Sequence, residues 1–337
     1  MSADATVTPD VNPAATAGPT SADLPEVGVV LPRDLPADQV LPFARRAEEL
    51  GFAELWVVED LGFRGGIAQA AAVLAVTEQV RVGVGILPAA ARNVGFAAME
   101  AATLADLFPG RVLLGVGHGM PDWMRQVGAW PDSILTLLEE HVTALRALLR
   151  GEEVHAAGRY VQLDGLRLEG ERATPPPVLA GVRGPRSLAL AGRVADGTVL
   201  AEPATPEYLR VVRAQIGDVP GHRVVAYNVA AVGPDAAAAR AVARTGLGWI
   251  GDPGWAVHLD PLDFAADLRA LRASTPDRAQ FAAALPDAWV DRLAVTGTPE
   301  QARASLAAMA AAGADAVVLI PAGPDPVAAL DALAAVL

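Results

Sequence analysis

A (β/α)₈ barrel is the fold class that this 337-residue sequence predicts, and three observations predict it. Eight short apolar runs alternate with helical stretches from about residue 25 to the end, the rhythm of parallel strands joined by helices. The runs are continuous in apolar character, as strands buried on both faces require. Glycines mark the ends of two of them, Gly83 with Gly85 and Gly117 with Gly119, and strand ends are where such barrels keep their ligand sites. A doubly wound open sheet is the structural alternative. Eight units are counted without forcing, and one inserted hairpin takes up the surplus length.

The first strand, EVGVVLP, follows Pro25. Residues 37–50 set Val40, Leu41, Phe43, Ala44, Ala47 and Leu50 on one side of a helix that stops at Gly51. Residues 54–58, ELWVV, are the second strand, ending in Glu59-Asp60. The loop LGFRGG leads to an alanine-rich helix over 67–77. A third strand begins at Val80 as VRVGVGILP. The helix behind it carries Phe96, Met99, Ala102, Leu104 and Leu107 at helical spacing and stops at Pro109-Gly110. Residues 112–116 form the fourth strand, and a helix spans 134–149 with Gly151 behind it.

Residues 152–172 break the rhythm as a hairpin punctuated by Gly158 and Asp164-Gly165. VLAGV after three prolines is the fifth strand, followed by RGPRS and a helix to Val194. The sixth strand covers 198–200, with a helix over 206–215; the seventh covers 224–232, with a helix from Asp235. Residues 246–261 are glycine- and tryptophan-bearing and irregular. Thr298 caps a helix to Ala312, residues 316–320 are the eighth strand, and 325–337 the closing helix.

Composition bounds the function. With 39 acidic against 26 basic side chains the net charge is -13, which disfavours nucleic acid or an anionic membrane surface as partner. No apolar run approaches the roughly 20 residues of a membrane span. The chain has no cysteine, so disulfides, thiolate catalysis and Cys-ligated metals are excluded. Residues 1–24 are rich in Ala, Thr and Pro, with neither a basic start nor an apolar core, and read as a disordered tail before a single domain over 25–337. The cytoplasm is the default compartment.

Several groups could carry chemistry. Glu59 and Asp60 end the second strand at the rim; neighbours on a strand face opposite sides, so at most one aims into the mouth. Gly83 and Gly85 allow a flat ring to approach the third strand, or merely form a tight exit turn. His118, between two glycines, is placed to bind a ligand or donate a proton. The other histidines, His141, His155, His222 and His258, show no ligand spacing, so no zinc or iron site is expected. The run Val182-Arg183-Gly184-Pro185-Arg186-Ser187 opens a helix and suits a phosphate, through free N–H groups and guanidinium charge. Trp56 could wall a planar ring or pack in the core, and Trp123 is the better substrate contact. Trp123, Met124 and residues 246–261 make an apolar rim suited to a hydrophobic organic molecule. No Gly-x-Ser-x-Gly, Walker loop or dinucleotide fingerprint occurs; Gly115-x-Gly117-x-Gly119 has the wrong spacing and no expected helix behind it.

Five stretches together resemble the bacterial luciferase-like oxidoreductases, in the branch that uses the deazaflavin coenzyme F420. They are AEELGFAELWVVED (47–60), VGVGILPAAARN (82–93), ATLADLFPGRVLLGVGHG (102–119), PPPVLAGVRGPRSLALAGRVADGTVL (175–200) and GTPEQARASLAAMAAAGADAVVLIPAG (297–323). The resemblance implies a barrel with an insertion and a flavin-type ring across the carboxyl ends of the strands. It implies a non-prolyl cis peptide behind the ring, which aligns with Gly85-Ile86, and a phosphate cradle at Gly181, Val182, Arg183, Gly184 and Pro185. Glu59-Asp60 stands where relatives often carry Asp-His. Met120 stands where sugar-phosphate dehydrogenases of the branch carry glutamate and methylene-tetrahydromethanopterin reductases carry aspartate, and departs from both.

The reading is thus a hydride-transferring oxidoreductase with Asp60 or Glu59 as acid/base, His118 as second choice, and Trp56, Met120 and Trp123 toward a small-molecule substrate. FMN with oxygen, as a monooxygenase, is the alternative cofactor chemistry. A flavin-binding barrel without turnover is the alternative from another class. The resemblance also implies a homodimer.

Overall fold

The computed structural model describes residues 24–170 and 174–337. The expected tail over 1–24 lies outside the described residues save for Leu24, as do the last two positions of the expected insertion. The strands are β1 (Glu26–Val30), β2 (Glu54–Val57), β3 (Arg81–Pro88), β4 (Val112–Gly117), β5 (Val154–Ala157), β6 (Gln162–Leu166), β7 (Val178–Gly181), β8 (Gly197–Leu200), β9 (Arg223–Val232), β10 (Val295–Gly297) and β11 (Ala316–Pro321). Eight of them close a parallel ring in the order β1-β2-β3-β4-β7-β8-β9-β11, with β11 returning to β1. That is the (β/α)₈ barrel expected from the alternation. The β5–β6 pair is the antiparallel hairpin expected within the insertion, and β10 prolongs the far end of β9 outside the ring.

Local rules explain the well-placed helices. Ala37–Leu50 ends at Gly51 because only glycine settles cheaply at its φ of 93°. Ile134–Leu149 starts at Ser133, whose side chain accepts from Thr136 N–H. Pro299–Ala311 starts at Thr298 with a reciprocal bond from Gln301, so its N3 partner is glutamine.

Two departures have physical causes. In the helix Val94–Leu107 the buried face is built from Ala97, Ala98, Ala101, Ala102, Leu104 and Ala105. Phe96, Met99 and Leu107, expected in the core, are 67%, 54% and 66% exposed. Small side chains let this helix approach the sheet closely, and the large ones are left facing out. The second departure is a cluster of short helices, Ala265–Ser274, Arg278–Ala284 and Asp287–Leu293. They close on Leu268, Phe281, Val290 and Leu293 after a stretch that the periodicity left irregular.

Two layers of apolar packing hold the barrel. Trp56, Leu113, Leu179, Val199, Val225, Tyr227 and Val318 fill its interior, and the larger core lies between strands and helices. No helix among the described residues is long and apolar enough to cross a membrane.

Candidate active site

The carboxyl ends of the strands converge on one mouth, and glycines decide how closely. A Cβ on Gly181 would lie 2.6 Å from the Ile86 side chain, and one on Gly117 would lie 2.5 Å from the Gly181 carbonyl oxygen. The tips of β3, β4 and β7 therefore touch only because these positions lack side chains. The Gly85–Ile86 peptide is cis, as the resemblance implied, and so is Glu202–Pro203.

Below the mouth, alternation along β2 turns Glu54 and Trp56 inward. Trp56 has 0% exposure, so it lies beneath the mouth and not at its rim. Its indole N–H donates to the Glu54 carboxylate at 2.8 Å, and a Cβ on Gly83 would clash with its ring, 2.2 Å from Cδ2. Tyr227, edge-on to Trp56 with centroids 5.7 Å apart, points its hydroxyl at Gly85, where an added Cβ would meet it. That buried hydroxyl has no protein partner among the described residues.

The two carboxylates at the end of β2 part company. Glu59 turns outward, paired in two places with Arg92, one contact at 2.9 Å, and accepts from Gly66 N–H at 2.7 Å. It thereby braces the start of the helix Gly66–Leu74. Asp60 pairs with Arg33, whose guanidinium lies 4.7 Å from the Phe63 ring centre. Asp60 is near enough to raise the pKa values of Tyr227 and Glu202, so it is the one of the pair that faces the mouth.

On the other side stands the run expected to hold a phosphate. Gly184 precedes the helix Pro185–Val194 in an extended conformation, and a Cβ there would meet open space. Arg183 has no carboxylate within ion-pair distance among the described residues. Its guanidinium donates to the Gly254 carbonyl at 3.0 Å, lies 3.8 Å from the Met120 sulfur and stacks 4.9 Å over Trp255. Its own carbonyl accepts the Tyr208 hydroxyl at 2.8 Å. Burial pushes the Arg183 pKa down, against the raising effect of Tyr208 and Glu202. His118 Nε2 lies 3.1 Å from Ser187 Oγ on the same helix. Burial, helped by Arg183, pushes the His118 pKa down to about 4, so the imidazole is neutral at pH 7. The structure thus joins His118 to the start of that helix.

Met120 and the half-buried Trp123 sit at the start of a short helix, Pro121–Gln126, which follows β4 where no helix was expected. Met124 turns inward and is buried beside Gly119. Residue-level reading missed Glu202, Tyr227, Trp255 and His258. Glu202 lies two positions beyond β8, a strand-end signal that could have found it. Trp255, whose indole N–H donates to the Glu202 carbonyl at 2.8 Å, comes from the irregular stretch.

A family model described as luciferase-like monooxygenase matches residues 12–316. Over 287 residues the chain is 27% identical to a 5,10-methylenetetrahydromethanopterin reductase of Methanolobus tindarius, covering 81% of this chain and 87% of that protein. It is 36% identical over 180 residues to an F420-dependent glucose-6-phosphate dehydrogenase of Beutenbergia cavernae, covering 50% of this chain and 52% of that protein, so the match spans about half of each. The coenzyme F420-dependent tetrahydromethanopterin reductase of Methanopyrus kandleri shares the fold, with a TM-score of 0.80 at 19% identity over 92% of this chain and 97% of that chain.

Proposed function

Because the chain belongs to the luciferase-like monooxygenase family, we propose that it is an oxidoreductase that transfers a hydride between coenzyme F420 and a small organic substrate. One observation carries the reading. The Ile86 side chain lies against Gly181, so the strand tip expected behind a ring and the helix start expected at its phosphate form one continuous surface. The relatives whose names specify F420 support the choice of cofactor.

The residues present fit such a molecule. Gly85 and Ile86 back the ring, and Trp56 and Tyr227 form the floor beneath. Gly181, Val182, Arg183, Gly184 and Pro185 hold the phosphate-bearing tail with helix-start N–H groups and one uncompensated cation, assisted by His118. Bound F420 supplies the two-electron hydride chemistry. Asp60, held by Arg33, faces the substrate, whereas Glu59 acts as a positioning residue through Arg92 and the helix start. Met120, Trp123 and Trp255 favour a substrate with an apolar side.

Titration of the apoprotein with F420, read by cofactor fluorescence, tests the proposal. Arg183→Ala is expected to weaken F420 binding about 10- to 100-fold, the worth of a charge-assisted hydrogen bond or two, with thermal unfolding as the check on folding. Tight binding of FMN with none of F420 would replace the cofactor and favour oxygen chemistry.

The homodimer is proposed on the outward stripe of the helix Val94–Leu107. Phe96, Met99 and Leu107 lie on one side within about three turns, the kind of exposed apolar patch that a second copy covers. A two-fold interface counts each residue twice. Phe96→Glu should therefore weaken dimerisation about a hundredfold or more, from the loss of about 1.5 kcal/mol per ring. Sedimentation equilibrium reads this directly, and a wild type that stays monomeric at high concentration removes the proposal.

A further inference from the structure

Three carboxyl groups reach the rim from β2 and β8, and they differ in what neutralises them. Glu59 is held by Arg92 and the Gly66 N–H, and Asp60 by Arg33. The Glu202 carboxyl has no ion-pair partner among the described residues, and its hydrogen bonding is confined to its own backbone.

The backbone from Glu202 to Ala204, by contrast, is held at three points. The Trp255 indole N–H donates to the Glu202 carbonyl at 2.8 Å. His258 Nδ1 lies 3.2 Å from the Pro203 carbonyl oxygen. Asn228 bonds both the N–H and the carbonyl of Ala204, at 3.0 Å and 3.3 Å. Such anchoring suits a side chain that must be aimed. The charged and titratable groups facing it are Arg33 from the end of β1, Asp60 from β2, Arg183 from β7 and Tyr227 from β9, with His258 packed behind through Pro203.

We propose that Glu202 is the proton-exchanging group of this site, resting on the hydride-transfer reading above. In the reducing direction, bound reduced F420 would supply the hydride for the carbon of a C=O or C=N bond, whose π pair would move onto the heteroatom. The Glu202 O–H gives that atom its proton, leaving a carboxylate that solvent reprotonates. Oxidation runs the same exchange backward.

The protonation state supports the assignment. Burial raises the Glu202 pKa and Asp60 adds to the rise, against the lowering by its own backbone N–H, Arg183 and Arg33. These surroundings favour the protonated form of Glu202, the form that a general acid requires.

The test is pH-difference infrared spectroscopy of the apoprotein, followed by addition of F420. A protonated-carboxyl band titrating above the ordinary carboxylate range is expected in the wild type, lost in Glu202→Gln and displaced in Glu202→Asp. The last variant keeps an acid if the glutamine variant fails to fold. F420 should shift the band, because ring and carboxyl share the mouth. Persistence of the band in Glu202→Gln, or a band that F420 leaves unmoved while fluorescence shows it bound, overturns the role of Glu202 alone. Unchanged F420 fluorescence overturns the hydride-transfer reading itself.

Discussion

Glu54→Ala is expected to destabilise the barrel by about 3–5 kcal/mol, the cost of stripping one partner from a buried ion pair. Glu54 has 0% exposure and accepts from Arg223 at 2.6 Å and from the Trp56 indole at 2.8 Å, with Arg81 at 3.1 Å. Both guanidinium groups also reach Glu26, whose pKa is lowered by them against the opposing effect of burial. Glu26 is partly exposed, however, and cannot replace a charge inside the ring. The loss should appear in urea unfolding and as a fall in Tm of roughly 10 °C. A variant within about 1 kcal/mol of wild type would show that the network is dispensable. The effect reaches function because Trp56, released from Glu54, supports the floor under Gly83 and Gly85.

Gly85→Ala is expected to abolish most F420 binding, about a hundredfold, and to cost about 1–3 kcal/mol of stability as an overpacked site. Gly85 does not have a positive φ, so the substitution is not excluded by backbone conformation. The obstacle is steric: the new methyl would fall on the Tyr227 hydroxyl. The cure is correspondingly specific. With Tyr227→Phe added, the nearest atoms become the Phe ring tip and Trp56 Cε3, both 3.1 Å away. Relief is then partial, and the double variant should recover a good part of both affinity and stability. Calorimetry and F420 fluorescence on the four proteins of the cycle measure it. Equal losses with and without Tyr227→Phe would place the cause elsewhere.

Part of the proposed site is legible in residue order, because some of its geometry is local. The run from Gly181 to Pro185 is a strand end followed at once by a helix start, and neighbours in sequence cannot help being neighbours in space. The alternation rule for Glu59 and Asp60 likewise held, with one carboxylate outward and one toward the mouth. The same locality failed for Trp56, since position on a strand does not tell how deep in the barrel a side chain ends. It failed for the helix Val94–Leu107 because large apolar residues are ordinarily the better core signal. There alanines pack against the sheet and the aromatic faces out.

By itself, the order of residues determined the ring of alternating strands and helices, the helix ends at Gly51, Ser133 and Thr298, and the strand tips that bear glycine. Each depends on interactions within a few residues, and periodicity and caps are legible at that range. Only the tertiary structure decided that Glu59 is claimed by Arg92, Asp60 by Arg33, and that Glu202 is left without an ion-pair partner among the described residues. It alone set the Tyr227 hydroxyl beneath Gly85 and the Trp255 indole on the Glu202 carbonyl. Those pairings join residues 27 to 142 positions apart, and closure of the ring brings them together. Which charges meet across a barrel mouth depends on strand register and side-chain depth, and no local pattern encodes either.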